Sequence, residues 1–146
     1  MKNARAEVML ADTRQGLARA VSEIFDHFGG PKLLRSSRDV YIKVNGVGPE
    51  ANVYTSPEVL RHTISYLKRC GARKIYVMEN CTQANFTRLV FQATGYLKVC
   101  RETDAEPVYL DETPAVPVFL EGIEEFVDIS AFVMERIIER GHENFY

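Results

Sequence analysis

The side chains that could do chemistry sit where the apolar runs of this chain end. Lys43 and Asn45 close "VYIKVN", Thr55 and Ser56 precede "PEVLRHTISYLKR", Glu79 and Asn80 follow "KIYVM", and Asp111 follows "PVYL". An ammonium, amides and hydroxyls are hydrogen-bond donors. Lys43, Asn45, Thr55, Ser56 and Asn80 therefore make a set suited to a small anion, a carboxylate or a phosphate. Thr55 and Ser56 also stand at a helix start, where free N–H groups favour negative charge. Glu79 and Asp111 are the candidates for general acid–base work or for accepting a hydroxyl proton. A plainer role stays open to each. Lys43 is out of phase with Ile42 and Val44, and so could face solvent or pair with Glu79. Asn45 and Gly46 could be turn residues, and Glu79 and Asn80 could cap the next helix.

For these residues to act together, three strands must run the same way and release their ends on one rim. Residues 7–11 ("EVMLA") read as a short first strand. Leu17, Val21, Ile24, Phe25 and Phe28 recur at helical spacing, with Asp12 or Thr13 as cap and Gly29 as stop. "DVYIKVN" alternates Val40, Ile42 and Val44 against Tyr41 and Lys43, the period of a strand. A helix capped by Thr55 or Ser56, with Pro57 in its first turn, buries Leu60, Ile64 and Leu67 and ends at Gly71. "RKIYVMEN" is the next strand. A helix carrying Phe86, Leu89, Val90 and Ala93 then runs to Gly95, and "AEPVYLD" is the third strand. This order predicts an α/β fold: a mainly parallel sheet with flanking helices around a βαβαβ core, one domain over residues 1–146. Such sheets bind ligands beyond the carboxyl ends of their strands. After Asp111, "ETPAVPVFLEGIEEFVDIS" suits one or two edge strands. Ser130 heads a last helix with Val133, Met134, Ile137 and Ile138 on one face, closing at Gly141.

The totals exclude several classes. At 146 residues, 46% apolar and 26% charged, the chain has the composition of a globular domain with a single core. A formal net charge of −2 argues against a generic nucleic-acid binder. No apolar run approaches the ~20 residues of a membrane span, and the N-terminus lacks the apolar core of a signal peptide, so a cytoplasmic location is expected. Cys70, Cys81 and Cys100 have no paired spacing and are expected as reduced, packed thiols, not as a disulfide framework or a zinc or iron–sulfur site. His27, His62 and His142 have no metal-site spacing, and no metal site is expected. Gly46-Val47-Gly48 lacks the third glycine of a dinucleotide fingerprint, and no P-loop sequence occurs.

From Val40 to Asp111 the order of signals resembles the domain of unknown function 362 family. "VYIKVN" is similar to its strand ending in Lys-x-Asn, and "TSPEVLRHTISYLKRCGARKIYVMEN" to its Thr-x-Pro-x-Val helix, Gly-Ala turn and following strand. "FQATGY" and "VYLDE" complete the series. Val44 stands where the family often has proline. The resemblance implies an α/β protein of unsettled biochemistry and names no reaction. It also implies a longer family domain that continues through a Lys-x-His motif into a further α/β half. This chain is therefore expected to match the N-terminal portion of that domain and to be incomplete relative to it. Many members carry ferredoxin-type cysteine clusters; this sequence has none, and the cofactor, if there is one, is left open.

Two functional expectations follow. The first is a ligand-binding module that could form half of an active site, its small anionic ligand held by Lys43, Asn45 and the amides near Thr55. The alternative is a redox accessory protein serving iron–sulfur partners without a cluster of its own. Neither nucleic acid nor membrane is expected as a partner. If an opposing half is absent, "FVDISAFVMERIIE" with Phe145 and Tyr146 is the surface expected to self-associate.

Overall fold

A computed structural model describes residues 6–34, 39–50, 53–81 and 86–139. Strands β1 (Asp39–Lys43), β2 (Lys74–Glu79) and β3 (Glu106–Tyr109) form one sheet in that order. Both pairings are parallel, with Lys43 beside Met78 and Glu79 beside Tyr109. The alternation in β1 has the physical consequence expected of it. Val40, Ile42 and Val44 join Ile75 and Val77 in the larger core, against Leu60, Ile64 and Leu67 of α2 (Pro57–Arg69) and Val99 of α4 (Tyr96–Thr103). Tyr41, Tyr76, Met78 and Val108 face the other way and meet Leu110, Phe132 and Ile137. The Tyr41 and Tyr76 rings stack at 5.0 Å, with Phe132 edge-on to both. The sheet is covered on both faces, which is why β1 and β2 are buried along nearly their whole length.

The helices start and stop where their residues dictate. The Ser56 hydroxyl accepts from the Glu58 N–H, Pro57 occupies the first turn, and the chain leaves α2 through Gly71 at φ +98°. α1 (Leu17–His27) buries Ala20 and Val21 and is pinned to α2 by the Tyr66 hydroxyl, which donates to Asp26 at 2.5 Å. Its start differs from expectation: Asp12 caps a separate single turn (Thr13–Gln15), and Gly16 leads into α1.

Other differences have local causes. Residues 6–12 take no regular structure, and Leu10 is 90% exposed. An apolar alternation makes a strand only where a sheet edge pairs with it, and this segment has none. α3 (Thr87–Thr94) buries Thr87, Val90, Phe91 and Thr94, leaving Phe86 and Leu89 outside the core. The rotation is set by Phe91, whose ring packs edge-on against Tyr96 at 5.4 Å and Tyr109 at 5.2 Å. Gly95, left-handed at φ 86°, turns the chain straight into α4, a helix the sequence pattern had not separated.

β4 (Ala115–Leu120) and β5 (Glu125–Ser130) form an antiparallel pair of their own. The last helix, α5 (Ala131–Val133), widens into a π turn over Met134–Ile138, closed by Glu139 N–H donating to Met134 O. Ser130 stands at its cap position but makes no capping bond. Phe132 and Ile137 pack on the sheet, so in the segment expected to self-associate the exposed apolar side chains are Phe126, Val127 and Ile138. Gly141, His142, Phe145 and Tyr146 lie outside the described residues.

Candidate functional site

Parallel pairing brings the polar ends of β1 and β2 to one rim. The turn Leu110–Glu112 carries Asp111 to the same end, two residues beyond the Tyr109 that pairs with Glu79. Lys43 and Glu79 meet directly: Nζ lies 2.7 Å from Oε1. The Glu79 side chain is only 4% exposed, whereas that of Lys43 is 48% exposed. Burying a carboxylate is costly unless donors surround it, and here they do. The Gly46 N–H donates to Oε2 at 2.8 Å and the Asn80 N–H to Oε1 at 2.8 Å. Glu79 thus clamps the loop after β1, the end of β2 and the Lys43 ammonium together. Gly46 is needed for closeness: a Cβ there would lie 3.3 Å from Glu79 Cγ and 3.5 Å from the Tyr96 ring.

Asn45 and Thr55 are brought together by each other. The Asn45 N–H donates to the Thr55 hydroxyl, the Thr55 N–H to Asn45 O, and Asn45 Nδ2 to Val53 O. Tyr96 seals this brace, its single hydroxyl proton shared between Thr55 O at 2.8 Å and Asn45 O at 3.1 Å. Burial pushes the Tyr96 phenol up to about 12. These contacts shape the loop, and Ser56 is engaged in capping α2.

Asn80 and Asp111 line a polar cleft of about 300 Å³ with Leu110, Thr113, Asp128 and Ser130. The Thr113 and Ser130 hydroxyls bond one another at 2.7 Å. Asp111 Oδ2 receives a long 3.5 Å contact from the Thr87 N–H, and Oδ1 is buried with no donor among the described residues. Beside Asn80, Cys81 is buried, with its thiol on Gly46 O at 2.6 Å and its N–H on the Thr87 hydroxyl at 3.0 Å. Burial pushes the Cys81 thiol up, the Glu79 and Asp111 charges add to this, and the Thr87 hydroxyl and Lys43 oppose it. Cys81 is therefore a packed thiol and not a thiolate nucleophile. Cys70 and Cys100 are free as well.

A larger cleft, about 800 Å³, opens at the opposite end of the strands. There Arg73 pairs with Asp39 at 2.8 Å and Lys74 with Glu106, so these cations are already matched. No three His, Cys, Asp or Glu among the described residues are grouped to hold a metal ion, and no helix among them is long and apolar enough to cross a membrane.

The loops beginning at Gly46 and Cys81 are expected from the sequence as walls of the site, whereas Thr87, Tyr96, Thr113, Asp128 and Ser130 were missed as rim residues. Asp128 and Ser130 carried no signal, because they arrive from a hairpin far along the chain.

A family model described as a domain of unknown function (DUF362) matches residues 40–138. No curated protein and no solved structure matches the chain.

Proposed function

The chain belongs to the DUF362 family, and from that premise we propose that it is a ligand-binding α/β module whose sheet rim takes a small anionic molecule, a carboxylate or phosphate. The observation that carries this reading is the Lys43 ammonium, half exposed at the rim and anchored on the buried Glu79 carboxylate. An ammonium has three donors. Glu79 takes one and Val44 O, at 3.4 Å, draws weakly on a second. Among the described residues no other acceptor takes the remainder, which leaves it for a ligand. Asn80 lines the polar cleft beside it, and Asp111 Oδ1, which has no donor among the described residues, supplies an acceptor for a hydroxyl or ammonium on the same molecule. Glu79 acts as a positioning residue, since its carboxylate is committed to Lys43, Gly46 and Asn80. The pair of Lys43 and Glu79 cancels in charge, so affinity is modest, with Kd in the range of about 0.1–1 mM, or roughly −5.5 to −4 kcal/mol.

A thermal-shift panel of small carboxylates and phosphates tests the reading. At a ligand concentration about ten times Kd, stabilisation is about 1.4 kcal/mol, a rise of about 3–6 °C for a domain of this size. The double variant Lys43→Met/Glu79→Gln removes the cation without leaving a buried charge unpaired, and the shift disappears. If no acid on the panel raises Tm, or if the double variant shifts as much as the parent, the reading is wrong.

A further inference from the structure

At the far end of the strands, the cleft of about 800 Å³ is floored by side chains from one face of the sheet. Asp39 pairs with Lys74 and Tyr76 with Glu106, so by register these four residues share a face. It is the face that Phe132 and Ile137 cover. Those two lie five residues apart, and in an α-helix they would point about 140° away from each other. The wider turn closed by the Glu139 N–H on Met134 O brings them to the same side. Arg136 lies inside that turn and lines the cleft.

The charges of the cleft are matched with one exception. Asp39, its side chain 6% exposed, holds Arg73 at 2.8 Å, Glu106 holds Lys74, and Asp104 lies 3.6 Å from Lys68. Arg136 is partly buried, and no acceptor among the described residues meets its guanidinium. Arginine is seldom withdrawn from water without a partner, and its five N–H donors form a planar fork.

We propose that this cleft is a binding site separate from the Lys43 rim, in which Arg136 anchors the acid group of a hydroxylated small molecule, a sugar phosphate or a sugar carboxylate. The fork fits either acid through two parallel hydrogen bonds. The volume lies in the range of about 300–1,000 Å³ that takes a whole small molecule, far more than an acid group alone needs. The wall is mostly charged, which favours a polar body over an apolar one. Asp104 and Glu106 accept from hydroxyls and repel a second acid group, so the ligand carries one. β1 spans four steps of about 3.3 Å, so roughly 13 Å separates the two ends of the sheet, and the assignment does not rest on the Lys43 reading.

Ligand-observed NMR on the full chain measures Kd for glucose 6-phosphate, glucuronate, glucose and inorganic phosphate. One of the two sugar acids, whichever suits the fork, binds at least about tenfold tighter than glucose or inorganic phosphate, each of which makes only part of the contacts. Arg136→Met keeps the stem of the side chain and weakens that sugar acid at least about tenfold, whereas Lys43→Met/Glu79→Gln leaves it unchanged. Two-dimensional spectra of the parent need no variant: the sugar acid moves the amides of Lys74, Ala105 and Glu106 and leaves those of Gly46 and Asn80 in place. Movement of Gly46 and Asn80 alone puts the ligand at the rim and overturns the cleft assignment while the Lys43 reading stands. Equal binding of inorganic phosphate and both sugar acids, or indifference to Arg136→Met, overturns it as well. Acetate and inorganic phosphate have no hydroxylated body, so on them the thermal shift still reads the rim.

Discussion

Glu79→Gln keeps the shape of the rim clamp and removes its charge, so its cost can be worked from the contacts. The side chain is 4% exposed and accepts from Gly46 N–H on one oxygen and from Asn80 N–H and Lys43 Nζ on the other. A glutamine has one acceptor and one NH₂. Whichever way it is turned, a buried donor faces a donor, and an orphaned backbone N–H costs about 1–3 kcal/mol. Lys43, half exposed, is rehydrated when its partner goes, which adds only about 0–1 kcal/mol. The expected loss is therefore about 1–4 kcal/mol, or a fall in Tm of about 3–15 °C. Glu79→Ala orphans both N–H groups and opens a cavity, for about 3–5 kcal/mol. Lys43→Met costs less, about 1–2 kcal/mol, because two backbone donors still serve the carboxylate. Urea unfolding monitored by circular dichroism reads the series through its midpoint, with the slope unchanged. Glu79→Gln within about 0.5 kcal/mol of the parent, or Lys43→Met costing more than Glu79→Gln, would refute the reasoning.

Two other predictions concern the scaffold beneath the rim. Gly30, at φ +52°, has room for no side chain: a Cβ would lie 2.9 Å from Asp26 Oδ1 and 3.0 Å from the Tyr66 hydroxyl. Gly30→Ala is expected to cost about 1–3 kcal/mol by chemical denaturation, and a neutral result would contradict the packing of α1 on α2. The Tyr96 phenol, pushed up to about 12 by burial, keeps its proton when the unfolded chain, near its ordinary 10.0, has lost it. Stability from this group is complete below about pH 10 and falls as pH rises towards about 12, by up to about 1.4 kcal/mol per unit. Tyr96→Phe should flatten that alkaline decline while costing about 1–2 kcal/mol at neutral pH through the lost, shared hydroxyl hydrogen bond.

The parallel core was legible because its signals are local and mutually consistent. Val40, Ile42 and Val44 alternate, Ser56-Pro57 starts a helix, Gly71 ends it, and Glu79 closes the next apolar run. The meeting of Lys43 with Glu79 followed from the parallel pairing alone. What could not be read depended on contacts distant in sequence. Leu89 and Phe91 are equally apolar, and only the ring contacts of Phe91 with Tyr96 and Tyr109 decide which faces inward. "EVMLA" has the composition of a strand, but strand formation needs a partner that no local pattern reveals. Asn45 and Thr55 illustrate the same limit at the site: their residue types suit an anion, and the backbone of the facing segment claims them instead.

Any parallel sheet gathers its strand ends on one rim, so convergence alone does not separate a binding site from a well-closed loop. Satisfaction of the polar groups does. Glu79 has a donor on each oxygen, as a structural carboxylate should. Asp111 does not: one oxygen has a 3.5 Å contact and the other is buried with no donor among the described residues. Asp111→Asn keeps the shape and still offers an oxygen to the Thr87 N–H. If Asp111 held the fold together, the change would cost about 1–3 kcal/mol. If the open acceptor is kept for a ligand, stability holds or rises by up to about 1 kcal/mol, and affinity for acids that carry a hydroxyl or amino group falls. Acids lacking such a group, which reach only Lys43, should bind the variant as they bind the parent. Melting curves and ligand titrations on the same preparation read both effects. A destabilised Asp111→Asn with unchanged ligand preference would return Asp111 to the scaffold.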